Sequence, residues 1–217
     1  MDRWFDGVYL IGQFNWFRTG VWLLTHGGEA ALLELPPASI TGIGFGPNPV
    51  DRAAIAVSEL GVVVKFILCT HTHMDHFNKK TYRRMRDRFA GATAVLQSGF
   101  RDYIGEESGV RYFEDAEALY IGGEPVHLIH APKHSQTDTM VIFRGAACTG
   151  DWELGTVRTV NERVPVETRL RSCDRMMGFA REGYHIHRTF SVHANDRREN
   201  VDFPALMAET REDHKLW

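Results

Sequence analysis

A segment that reads HTHMDH, residues 71–76, follows directly on an apolar run of the chain. In an extended chain, residues two apart point to the same side, so His71 and His73 can converge on one metal ion. Asp75 and His76 fall in the turn that follows, where they can approach a second ion. Neutral imidazole and carboxylate are good zinc ligands, and imidazole also suits iron. The segment therefore predicts a metal site.

Three later residues extend this pattern, because each follows a predicted strand. His134 lies in the loop after a strand that ends at His130. Asp151 lies at a strand end beside Gly150, a residue that allows close approach of the backbone. His193 comes after a late strand. The sequence thus places further ligands where strand ends can gather at one edge of a layered domain.

The segment 71–76 resembles the HxHxDH signature of the metallo-β-lactamase superfamily, and the later residues match its remaining ligand positions in order. The resemblance covers nearly the whole chain and implies an αββα sandwich. It also implies two metal ions, with the seven ligands shared between them. By this resemblance the first ion is bound by His71, His73 and His134, the second by Asp75, His76 and His193, and Asp151 bridges both.

The chain departs from the superfamily pattern at three places. Asp151 stands where the main antibiotic-hydrolysing group carries a cysteine ligand, which argues against antibiotic hydrolysis as the native task. Glu34 stands where many relatives have an aspartate, so we expect the structural support in that turn to be altered. Phe77-Asn78 replaces a common glycine-rich continuation. None of these changes removes a ligand, but they leave the subfamily open.

Other histidines need a separate interpretation. His185 and His187 share the strand parity of His193, but His193 lies at the strand end before a turn and is therefore preferred as the ligand. We interpret His127 and His130 as supporting or structural residues. His26 and His214 are isolated, and structural roles are predicted for them.

The remaining sequence predicts an α/β domain of two packed sheets with helices outside, a single domain spanning residues 1–217. Apolar runs between turn residues predict strands, and periodic runs with capping residues predict helices. The predicted strands span 7–12, 20–25, 30–35, 62–69, 92–97, 126–130, 139–143, 146–149 and 184–192. The predicted helices span 51–60, with Asp51 as N-cap, then 78–89, 100–104 and 169–182, and a last helix after Asp202.

Composition restricts the class of protein. A hydrophobic share of 43% and a charged share of 24% are ordinary for a globular domain, and a net charge of −3 gives no case for nucleic-acid or membrane partners. The basic residues between Lys79 and Arg88 are interpreted as a solvated helix face. Cys69, Cys148 and Cys173 have no CxxC spacing, which favours core thiols and a cytoplasmic location. We expect no signal peptide and no membrane span.

These observations predict a di-metal hydrolase, with zinc preferred and iron or manganese open. A metal-bridging hydroxide would attack an ester-like carbonyl of a small molecule such as a thioester or lactone. Asp75 or Asp151 would orient it and take part in proton transfer. The loops Phe14–Phe17 and Thr41–Pro49 could wall the substrate pocket, although the aromatic residues could equally be core or lid packing.

Three alternatives remain open at this point. A phosphodiesterase or nuclease of the same fold would favour a basic groove, which the charge balance does not indicate. A mono-iron, persulfide-dioxygenase-like oxidoreductase could use the same imidazoles, but the complete second ligand group disfavours it. A degenerate, non-catalytic member is disfavoured by the intact ligand set.

Overall fold

The computed structural model describes residues 1–38, 48–155 and 164–215. Two mixed β-sheets pack face to face, and helices cover the outer face of each sheet. This is the four-layer αββα arrangement that the sequence predicts. Among the described residues, no helix is both long and apolar enough to cross a bilayer.

The first sheet has seven strands in sequential order, β1 to β7. The first four strands pair antiparallel, and β4 to β7 pair parallel, with α1 and α2 as crossovers. The strands are β1 (Asp2–Phe5), β2 (Val8–Phe14), β3 (Thr19–His26), β4 (Glu29–Leu33), β5 (Val63–Leu68), β6 (Thr93–Gln97) and β7 (Val110–Phe113). The helices are α1 (Pro49–Leu60), α2 (Lys79–Arg88) and the short α3 (Arg101–Ile104), which follows a 3-10 turn at Ser98–Phe100.

The second sheet has six strands in the order β13-β12-β11-β10-β9-β8. Only β11 and β12 pair parallel. The strands are β8 (Ala116–Ile121), β9 (Glu124–His130), β10 (Thr139–Phe143), β11 (Ala146–Cys148), β12 (Arg188–Phe190) and β13 (Arg197–Glu199). Its outer face is covered by α4 (Val166–Arg181) and α5 (Phe203–His214).

Three apolar clusters hold the layers together. The central cluster lies between the sheets and includes Trp22, Phe143 and Phe190. A second cluster joins the first sheet to α1 and α2, and a third joins the second sheet to α4 and α5. Burial of apolar surface on both faces of each sheet explains why β4 and β5 are nearly continuous apolar runs.

Several predicted boundaries are wrong. Helix α1 is capped by Asn48, whose side chain accepts a hydrogen bond from the amide of Val50, so Asp51 lies inside the first turn. The predicted strand 184–192 is only three residues long, because β12 pairs with β11 and β13 over that stretch alone. Helix α4 begins three residues before the predicted start at Arg169. The pattern also missed β1, β7, β8 and β13, which are short or have half-exposed alternation.

Candidate metal centre

Three histidines form the first group of candidate ligands. His71 and His73 lie in the loop after β5, and His134 lies in the loop between β9 and β10. His73 Nδ1 is 3.0 Å from His134 Nε2. One nitrogen of each imidazole lies within 4.8 Å of the others, and the His71 side chain is fully buried. Three converging imidazoles match the first ligand group that the resemblance implies.

The second group combines two carboxylates with two imidazoles. His76 Nε2 lies 3.2 Å from Asp75 Oδ2 and 3.3 Å from Asp151 Oδ2. His193 Nε2 lies 3.1 Å from Asp151 Oδ1. The four ligand atoms all lie within 4.8 Å of one another. The structure therefore brings all seven predicted residues together, although their roles as ligands stay a prediction.

Asp151 connects the two groups. One carboxylate oxygen, Oδ2, is 3.6 Å from His134 Nε2 and 4.0 Å from His71 Nε2 in the first group. The other oxygen faces His193 in the second group. A carboxylate placed in this way can bind two ions at once, which is the geometry expected of a bridging ligand.

The seven side chains meet because four strands end at the same edge of the sandwich. The loops that hold the ligands follow the carboxyl ends of β5, β9, β11 and β12. Contacts across the sheets fix their spacing. The amide of Thr139 donates to Thr70 O at 2.8 Å, and the indole of Trp22 donates to Val192 O at 3.0 Å. Residues far apart in sequence thus reach one site through the sheet pairing.

Glu34 supports the second group from below. Its carboxylate is fully buried, accepts a 2.9 Å hydrogen bond from the amide of Thr70, and lies 3.2 Å from His76 Nδ1. Its φ of 84° is unusual for a residue with a side chain. A carboxylate on the distal nitrogen fixes the ring and tautomer of a metal-binding histidine. The sequence led us to expect altered support in this turn. The structure shows that the longer side chain of Glu34 itself contacts His76 and can orient its ring.

Asp138 orders the loop of His134 and was missed by the sequence analysis. Its Oδ2 accepts hydrogen bonds from the amides of Lys133, His134 and Ser135 at 2.6–2.9 Å, and its Oδ1 accepts from Ser135 Oγ at 2.7 Å. The spacing Ser135-x-x-Asp138 is compatible with such a loop, but it is too common a pattern to predict one.

The hydrogen bonding fits the proposed ions. Among the described residues, His71 Nε2, His76 Nε2 and Asp151 Oδ1 are buried and make no hydrogen bond of acceptable geometry. Buried polar atoms in proteins almost always have a partner. In contrast, the distal nitrogen Nδ1 of His71 lies 3.1 Å from Thr70 Oγ1. The atoms that face inward are thus those that a metal would satisfy.

The electrostatics of the cluster favour a cation. Burial alone would raise the pKa of Asp151, but the imidazoles of His76 and His193 hold the pKa of that carboxyl far below its usual value. Burial, reinforced by the neighbouring imidazole of His76, lowers the pKa of His71 well below its usual value. In the second group, burial would lower the pKa of His76 and His193, but the carboxylate of Asp151 raises both, so an ion bound there would displace protons from these rings.

The other histidines lie outside the centre. His185 and His187 precede β12, at the opposite end of the strand from His193. His130 Nε2 lies 2.8 Å from Gln136 O, a contact within its own loop. His127 packs against the aromatic pair Phe179 and Tyr184.

The hairpin between β2 and β3 closes one side of the centre. Asn15 Nδ2 donates to Asp75 O at 3.1 Å, and Gln13 Nε2 donates to His193 O at 2.5 Å. Phe14 is a core residue, whereas the Trp16 side chain is 88% exposed. Phe17, which is also exposed, lines a depression beside His193. Of the predicted pocket wall Phe14–Phe17, Phe14 therefore packs in the core, whereas Trp16 and Phe17 lie at the exposed tip of the hairpin. Residues 41–47 of the second predicted wall lie outside the described residues.

Solved structures with similar folds cover almost all of this chain. A metallo-β-lactamase family protein from Thermus thermophilus superposes with a TM-score of 0.64 at 18% identity, over 99% of this chain and 81% of that chain. The metallo-β-lactamase DIM-1 superposes with a TM-score of 0.71 at 10% identity, over 99% and 95%. The chain has the metallo-β-lactamase fold. Together with the ligand cluster, this confirms the resemblance stated from HxHxDH.

Two further proteins are similar to this chain. ETHE1 from Myxococcus xanthus superposes with a TM-score of 0.63 at 19% identity, over 90% of this chain and 83% of that chain. A curated lactamase-like protein from Pestalotiopsis microspora is 24% identical over 214 aligned residues, 90% of this chain. The chain spans only 60% of that relative, so the single-domain organisation stays a prediction. No family model matches the chain.

Proposed function

We propose that this protein is a di-metal hydrolase, with zinc as the metal, that cleaves an ester-like carbonyl in a small molecule. The observation that supports it is Asp151, whose two carboxylate oxygens face both groups of ligands. Two complete ligand groups that share a carboxylate suit a pair of divalent ions better than a single ion. The buried cysteines and the net charge of −3 support a cytoplasmic enzyme with a small-molecule substrate.

Two bound divalent ions would supply a nucleophilic hydroxide from water at neutral pH and polarise the carbonyl. The chain itself fixes the geometry of this reaction. Glu34 holds the ring of His76 through Nδ1, which leaves Nε2 facing Asp75 and Asp151 in the centre. Asp75 Oδ2 and the carboxylate of Asp151 face the centre and can accept and return the proton of the attacking water.

Metal content and hydrolysis test this proposal together. We expect about two zinc ions per chain by elemental mass spectrometry and turnover of thioesters or lactones. The double variant His71→Ala, His73→Ala should hydrolyse these substrates on the order of a thousandfold or more slowly and should bind less zinc. The matched control is the double variant His185→Ala, His187→Ala, which changes two histidines away from the centre. It should keep the hydrolysis rate and the zinc content of the parent protein.

Three results would contradict the proposal. Full hydrolysis by the His71 and His73 variant would show that the centre is not involved. One iron and little zinc per chain would favour the oxidoreductase alternative. Turnover of phosphodiesters without turnover of thioesters or lactones would favour the phosphodiesterase alternative.

A further inference from the structure

A cavity of about 670 Å³ lies beside the first ligand group, at the start of helix α2. We name it the α2 cavity. His73, a candidate ligand, is one of its lining residues, so a molecule bound there would lie beside the candidate metal centre. Its wall includes His73, Met74, Phe77, Lys79, Lys80 and Tyr103.

One part of this wall is apolar. The side chains of Met74 and Tyr103 are 66% and 46% exposed, although both are large and apolar. Phe77 is buried and packs edge-on against Phe100 with ring centroids 5.1 Å apart, which gives the cavity a rigid floor. Exposed apolar side chains around a concave surface are typical of a site for an apolar ligand.

The other part of the wall is positively charged. Lys79 and Lys80 are both exposed, and no ion pair within the described residues involves either ammonium group. None of the described residues that line the α2 cavity has a carboxylate. The side chain of Asn78 already accepts from the amides of Lys80 and Thr81, so the lysines rather than the helix end supply the free charge.

A second cavity, of about 660 Å³, is lined by His134, Asp151 and His193 of the candidate centre. It is lined by the carboxylates of Glu153, Asp196 and Glu209. Arg198, the guanidinium found among the described residues of its lining, is paired with Asp196 at 2.8 Å. Among the described residues, the α2 cavity thus has a more positive lining than the second cavity, which favours it for a negatively charged substrate end.

We propose that the α2 cavity binds an apolar substrate arm that ends in an anionic group, with Lys79 and Lys80 as specificity-determining residues. The inference rests on the proposed function, because it assigns the substrate class of the same centre. The arm lies along Met74 and Tyr103, and its carboxylate, sulfonate or phosphate end pairs with the lysines. The cleaved carbonyl then lies next to His73, at the mouth of the cavity.

Two dyes that share an aromatic ring system test the cavity independently of hydrolysis. Anilinonaphthalene sulfonate is anionic, and phenylnaphthylamine is its neutral counterpart. We expect Lys79→Glu with Lys80→Glu to weaken binding of the sulfonate to the zinc-loaded protein about five- to tenfold at low salt, and to leave the neutral dye within about twofold. Acidic residues suit the first turn of a helix, so this variant should fold.

The control is Arg84→Glu with Arg88→Glu, which makes the same charge change further along α2, outside the cavity wall. It should leave the affinity for both dyes within about twofold. An equal loss of sulfonate binding in both pairs of variants, or no loss in either, would overturn the inference. So would an equal loss for both dyes in the lysine variant.

Hydrolysis separates this inference from the proposed function. We expect the zinc-loaded protein to favour nitrophenyl hemisuccinate over nitrophenyl butyrate, and the lysine reversal to remove that preference by lowering kcat/KM for the anionic ester alone. If neither ester is hydrolysed, nor any thioester or lactone, the proposed function fails, while the dye titrations still decide whether the cavity selects anions.

Discussion

At the scale of the residue, the candidate centre depends on the side chains that orient the predicted ligands as well as on those ligands. Glu34 adopts a left-handed backbone conformation, which costs a non-glycine residue on the order of 1 kcal/mol. The same conformation directs its carboxylate to Thr70 N and His76 Nδ1. Retaining a strained residue at a metal centre is typical of a functional constraint.

The Glu34→Gln variant tests whether Glu34 orients His76. The amide keeps the size of the side chain and one acceptor for the Thr70 amide, but it loses the negative charge opposite His76. We expect zinc affinity to fall about 10–100-fold in a chelator competition assay, with the fold retained by circular dichroism. Glu29→Gln is the matched control, since Glu29 pairs with Lys65 away from the centre. Equal zinc affinity in the two variants would contradict an orienting role.

At the scale of the element, the ligands depend on loops that follow strands, and these loops are ordered by hydrogen bonds. The loop between β9 and β10 is closed around the carboxylate of Asp138. Helix α2 has a separate function in this arrangement. Its buried face, with Tyr82 and Met85, packs on the first sheet, and its first turn borders the cavity beside His73.

Replacing Asp138→Ala should open the loop of His134. The variant loses four charge-assisted hydrogen bonds and leaves three loop amides without an acceptor, so we expect the free energy of unfolding in urea to fall by about 2–4 kcal/mol. Bound zinc should fall as well, because His134 is no longer held. Asp138→Asn retains an acceptor oxygen and should recover part of both losses. A variant as stable as the parent would show that the loop is ordered by other contacts.

At the scale of the whole molecule, two helices seal the outer face of the second sheet and bury polar groups there. His214 on α5 is 1% exposed, and neither ring nitrogen has a hydrogen-bond partner among the described residues. Burial, together with the positive charges of Lys133 and Arg169, lowers the pKa of His214 to about 4. The folded protein therefore keeps this imidazole neutral in conditions where the unfolded chain protonates it.

This burial predicts a pH dependence of stability. Since the pKa of His214 is lower in the folded chain than the 6.5 of a free side chain, the unfolded chain binds more protons below pH 6.5. Above pH 6.5 the burial of neutral His214 does not lower the free energy of unfolding. As the pH falls from 6.5 toward 4, protonation of the unfolded chain lowers it progressively. In urea melts, we expect the free energy of unfolding of His214→Gln to fall less than that of the parent between pH 6.5 and 4, by on the order of 2 kcal/mol.

The comparison with the parent protein is made at each pH, because protonation of the metal-centre histidines affects both proteins equally. Parallel stability curves for the parent and His214→Gln between pH 6.5 and 4 would contradict the assignment.

The sequence by itself predicted which residue types meet at the centre and their order along the chain, and with the resemblance it predicted the four-layer fold. HTHMDH has a local spacing that requires no knowledge of distant contacts, and apolar runs such as 62–69 identify buried strands directly. Zinc, the hydrolase activity and the cytoplasmic location remain predictions from that sequence.

Tertiary structure decided the rest. The sequence preferred His193 over His185 and His187 from its place at a strand end, and the structure brings His193 to Asp151, because β12 is short and its two ends lie at opposite edges of the sheet. The structure also identified roles for Glu34, Asp138 and the lysines of the α2 cavity. These roles depend on partners that are distant in sequence or on the shape of a surface. Sheet pairing and side-chain packing set those distances, and neither is encoded in the spacing of a single segment.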